Sequence, residues 1–203
     1  MKDSNNPVAV VSAIILHTNM RKLCENHSTW LRNVLFCVID NLPGKTHAIQ
    51  RLHENGVEIG NIIKPYYGNH IGKMLSEYLR QHINLTIEIA EAAKAKDTEL
   101  LINLDKKWFD NASELALFLS KANAAWSVRD MKAMVANFLK VIHSQIMYRA
   151  RKDYTADAIA FDNTRSELLK ISDFITDGIS TQFPRKFSTD FARKSRYVFE
   201  NFF

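Results

Sequence analysis

Four apolar seams, each advancing in alternating steps of three and four residues, constrain this chain more than any other feature of its sequence. They run Met20, Leu23, His27, Trp30, Val34, Cys37; Ile71, Leu75, Tyr78, His82, Leu85, Ile89, Ala92; Leu101, Leu104, Trp108, Asn111, Leu115, Phe118, Ala122; and Ala136, Leu139, His143, Ile146, Ala150. Side chains three and four apart share one face of an α-helix, whereas a half-buried strand repeats every two. Turn-formers are scarce, with 6 Gly and 4 Pro in 203 residues, about half the usual share. A sandwich or barrel, which needs a turn every few residues, does not fit that scarcity.

The few breaks fall between the seams. Pro7 suits the first turn of a helix, where its missing N–H costs nothing. Pro43-Gly44 and Pro65-Tyr66-Tyr67-Gly68 interrupt the chain, Asp97 and Ser127 have N-cap chemistry, and Pro184 ends a helix. The spacing predicts a short N-terminal segment and then six main helices at about 18–41, 44–64, 69–96, 98–122, 128–152 and 155–183. Short connections make consecutive helices antiparallel. The expected fold is therefore an all-α antiparallel bundle spanning 1–187. An extension over 188–203 follows, and Phe187, Phe191, Val198 and Phe202 predict a last amphipathic helix at about 189–201.

Charge narrows the partners. The net charge is +5, and +3 of it lies between Arg185 and Phe203. No long basic face remains to track phosphates, so nucleic acid is not an expected partner. The basic, Phe-rich segment 187–203 is instead a candidate contact for a protein partner or a second copy. Val8 to Leu16 is apolar, but a membrane span needs about 20 residues. Cys24 and Cys37 lie on one expected helix, about 20 Å apart at the usual rise. They cannot pair, which points to a reducing compartment, the cytoplasm.

Three histidines occupy seams in the first helix of each expected hairpin: His27, His82 and His143. A carboxylate sits in each second helix, at Glu58, Glu114 and Asp173, and the separations are 31, 32 and 30 residues. This near-constant spacing suggests an αα-hairpin copied three times. Imidazole and carboxylate in a helical core form a ligand set for a divalent transition metal such as Zn, Fe, Mn or Ni. The same six side chains could instead line a pocket for a small polar ligand, or make three separate buried hydrogen bonds that set register. Neither Glu-x-x-His nor His-Glu-x-x-His occurs. Trp30 is a candidate stacking wall, Arg32 a candidate anion contact, and Asn111, in a seam, requires a hydrogen-bond partner. No phosphate loop, nucleophile elbow or Cys-x-x-Cys is present, so the expectation is a binding or interaction protein rather than an enzyme.

His27-Ser28-Thr29-Trp30-Leu31-Arg32, Asn55-Gly56-Val57-Glu58-Ile59-Gly60, Pro65-Tyr66-Tyr67-Gly68, Trp108-Phe109-Asp110-Asn111-Ala112 and Gln182-Phe183-Pro184 resemble segments of an all-helical bacterial family without an established activity. The resemblance covers roughly 20–187 and implies a helical fold. Glu58 departs from that pattern, where Asp is usual, and so does the extension after Phe187.

Overall fold

The computed structural model describes residues 7–187, with side chains from residue 12 onward. The expected helix over 189–201, and any contact it makes with a partner or second copy, lie outside the described residues. Six α-helices follow one another: α1 Pro7–Ile39, α2 Lys45–Ile62, α3 Lys64–Ala95, α4 Thr98–Ala122, α5 Val128–Ala150 and α6 Tyr154–Gln182. A 3-10 turn, Pro184–Phe187, closes the series. The bundle is all-α, as the seams predict. One boundary differs: the N-terminal segment and the first main helix are a single helix from Pro7, because no Pro or Gly interrupts 8–39.

Local chemistry sets the ends. The side chains of Asp97, Ser127 and Asp153 accept from the backbone N–H of Leu100, Asp130 and Ala156, capping α4, α5 and α6. A single residue, Ile63, itself in right-handed helical conformation, separates α2 from α3, and the chain reverses at Gly68 (φ 81°, ψ 170°) inside α3. The two helices then fold back with their backbones touching. A Cβ on Gly60 would stand 2.5 Å from the Gly72 carbonyl oxygen, and one on Gly72 would stand 2.6 Å from that of Gly60. No larger residue fits either place.

Each helix packs on its neighbours in the chain, and α6 returns to α1, so the bundle closes as a ring. The directions are antiparallel. Gly56 faces Leu79 and Ile83 across the α2–α3 seam, whereas Gly60 faces Ser76. Arg21 meets Asp173 and Arg165 meets Glu25 across α1–α6. The core includes Leu31, Val34, Leu52, Ile83, Ile89, Trp108, Leu139 and Ile142, all essentially inaccessible to water. One end is plugged by aromatics. Tyr66 stacks on Phe187, and Tyr67 meets Phe183 and Trp126 while its hydroxyl donates to Gln182 and accepts from Asn123. Trp126 packs against Gly178, where a Cβ would fall 2.0 Å from its Nε1. Among the described residues no helix is long and apolar enough to cross a membrane.

Candidate functional site

His27 and His82 are both buried, one on α1 and one on α3. Their partners are not the expected carboxylates. His27 Nδ1 lies 2.8 Å from Asn55 Oδ1. The Asn55 amide nitrogen donates to the Leu23 carbonyl at 3.1 Å, so Oδ1 is left to accept and His27 Nδ1 carries the proton. Glu58 touches this chain only through Asn55, at 3.5 Å, and its main partner is Arg51 at 3.3 Å. Asn55 stands three residues before Glu58, almost one helical turn, on the inward face with Leu52 and Ile59. Glu58 turns outward.

His82 has the opposite tautomer. The Trp108 indole N–H donates to His82 Nδ1 at 2.9 Å, with the two rings nearly coplanar. A neutral imidazole that accepts at Nδ1 holds its proton at Nε2. That Nε2–H is buried and has no hydrogen-bond partner. Burial pushes His27 down to about 4, against the lift from Asn55, and burial together with the nearby His27 pushes His82 down to about 3. Both are neutral at neutral pH.

The other expected pairs lie elsewhere. His143 is half-buried and faces α4, where Nε2 sits 3.4 Å from Asp105 Oδ2. It does not meet Asp173: its side chain turns to α4, and Thr164, the residue of α6 opposite Gln145, lies more than two turns before Asp173. Asp173 instead joins Arg21 and His17 across α1–α6. Glu114 is exposed on the outer face of α4. The six residues therefore do not gather into one ligand set. Among the described residues no three His, Cys, Asp or Glu stand close enough to hold a metal ion. Asn111 is buried and finds its partner, donating to Gln81 at 3.2 Å. Trp108 is core, whereas Trp30 is half-buried beside an open groove. Arg32 turns to another face, over the Phe161 ring at 4.3 Å, with Nη2 3.6 Å from Asp157.

A cavity of about 100 Å³ lies in the core, bounded by His27, His82, Cys24, Ser172 and Trp126 among aliphatic side chains and Phe138. Burial pushes the Cys24 thiol up to about 12. It stays protonated and is a poor nucleophile. The polar groups that line the cavity are thus all uncharged: two imidazoles of fixed tautomer, a thiol, a hydroxyl and an indole.

No family model, curated protein or solved structure matches the chain. The resemblance of its five segments to a bacterial family gains no support from these comparisons, and the fold rests on the helices themselves.

Sequence reasoning missed Asn55, Trp108 and Asp105 as the histidines' partners. The first two carried a legible signal: each is a polar group on an apolar face and must be satisfied there.

Proposed function

We propose that the protein binds a small, uncharged, mainly apolar molecule carrying one hydrogen-bond acceptor, in the core cavity between His27 and His82. One observation carries this reading: the Nε2–H of His82 is a buried donor without a partner, on a ring that bounds the cavity. An unpaired buried donor costs about 1–3 kcal/mol, and an acceptor on a bound molecule would recover it. The absence of charge around the cavity selects against anions, cations and metal ions, since each would be desolvated without a counter-charge. Size selects as well. A cavity of about 150 Å³ holds benzene, so one of about 100 Å³ suits a molecule of about five heavy atoms, such as a short ketone or alcohol. With both imidazoles well below their usual range and the thiol well above its own, the site favours binding over acid–base or nucleophilic chemistry. The two free cysteines support the cytoplasm as its compartment.

Titration with butanone, followed by the side-chain nitrogen resonances of the histidines, tests the reading. The His82 Nε2 signal is expected to shift saturably, and Val135→Phe, which fills the cavity from α5, to weaken binding at least tenfold. A His82 signal that stays fixed, or a crystal in which water alone satisfies Nε2, overturns the proposal.

A further inference from the structure

A second site lies on the outside of the bundle, and it neither needs the cavity nor depends on what the cavity holds. A groove of about 500 Å³ runs between the C-terminal half of α1 and the start of α2. This volume is in the range of pockets for drug-sized ligands. Its wall is aromatic and aliphatic, formed by Trp30, Phe36 and Leu42, and its rim carries His47 and Arg51. Cys37, a free and half-buried thiol, lies along it.

The charge on this groove has one sign. No carboxylate lines it, and its only permanently charged group is the Arg51 guanidinium. The first turn of α2 has no acidic residue, and Gly44 offers it no side-chain cap, so the helix end adds to the positive potential. Arg51 lies over the Trp30 ring, 5.8 Å from its centroid. Glu58 holds Nη2 at 3.3 Å, and the other terminal nitrogen, Nη1, has no hydrogen-bond partner but is closed off from solvent, so a ligand reaches it only when the Arg51 side chain rotates into the groove. The sequence offers Trp30 as a stacking wall and, on another face, Arg32 as an anion contact. In the fold the cation beside Trp30 is Arg51, while Arg32 turns to Asp157.

We infer that this groove binds an aromatic carboxylate, its ring against Trp30 and its carboxylate on Arg51. A planar fork of N–H donors matches a carboxylate, and an indole face matches a planar ring. Glu58 competes for the same guanidinium, so it limits the affinity.

Trp30 makes the test clean, because Trp108 and Trp126 are fully buried whereas Trp30 is not. The three indole N–H resonances are followed during titration with cinnamate and, separately, with cinnamamide, its uncharged counterpart. Cinnamate is expected to shift the Trp30 signal saturably and to leave the other two in place. Cinnamamide is expected to bind at least tenfold more weakly. Arg51→Ala is expected to weaken cinnamate at least tenfold while the Trp108 and Trp126 signals stay in place, and Glu58→Gln to tighten it a few-fold. Bound cinnamate is also expected to slow alkylation of Cys37 by iodoacetamide. Equal binding of acid and amide, an unmoved Trp30 signal, or an Arg51→Ala protein that binds as before would each overturn the inference.

Discussion

The middle of the bundle and its α1–α5–α6 end both bury ionisable groups, and they do so by opposite means. In the middle, His27 and His82 are kept neutral, and one ring nitrogen of each is tied to an uncharged partner, Asn55 or Trp108. At the end, charge is kept and balanced. Arg149 joins Asp40, just past the end of α1, and Asp157 on α6, where Asp157 is only 1% exposed and also faces Arg32. Phe36 takes the Arg149 guanidinium on its face at 3.8 Å and that of Arg32 at 4.9 Å. Depth decides between the two solutions. The arginines reach toward solvent, with side chains 15% and 22% exposed, so two cations and two anions there cost less desolvation than any single charge at the level of His82.

Acid should separate the two regions most sharply. The folded histidines titrate near 4 and 3, against about 6.5 for an unfolded histidine. Between those values the unfolded chain binds protons that the folded chain does not. Stability is therefore complete above pH 6.5 and falls as the pH drops, by about 1.4 kcal/mol per unit for each histidine. From pH 7 to 4.5 the pair should account for about 5 kcal/mol of loss, read from urea midpoints. His82→Gln should remove about half of that slope; an unchanged slope would show that the core histidines charge freely.

The end network should break under a single truncation. Asp157→Ala leaves Arg32 without its carboxylate, while Arg149 keeps Asp40. The expected destabilisation is about 3 kcal/mol, the low side of the range for broken buried pairs because both arginines are partly exposed. It should appear in urea unfolding at pH 7.

A smaller effect is expected from Trp108→Phe in the middle. The ring volume largely remains, but His82 Nδ1 loses its donor. The cost should be about 2 kcal/mol, and the nitrogen spectrum of His82 should show the proton redistributed between its two ring positions. If the tautomer stays fixed, something other than Trp108 sets it.

The fold was legible because its signals are local. Alternating steps of three and four, with Asp97, Ser127 and Pro184 at the breaks, need no knowledge of what packs on what. Partner choice is not local. The 30–32-residue spacing fixes neither azimuth nor, in the third hairpin, level: Thr164 is the residue of α6 opposite Gln145, so Asp173 lies about two turns from His143. Glu58 and Glu114 are displaced around their helices, away from the core, and His143 turns to α4 instead of α6. Asn55 was masked by the more conspicuous acid almost one turn later. The core cavity could not be read at all, since it depends on how side chains from helices distant in sequence fail to fill one space.

The ring of helices has a consequence for the order in which it can assemble. Five of its six seams join helices that are consecutive in the chain, so each can form with only a short loop to close. The sixth, α1 against α6, brings together Glu25 and Arg165 across 140 residues. Loop entropy grows slowly with length but is largest there. That seam gains its contacts only after the intervening helices have set the distance it must span, and so the slowest event of folding should be the meeting of the first helix with the last.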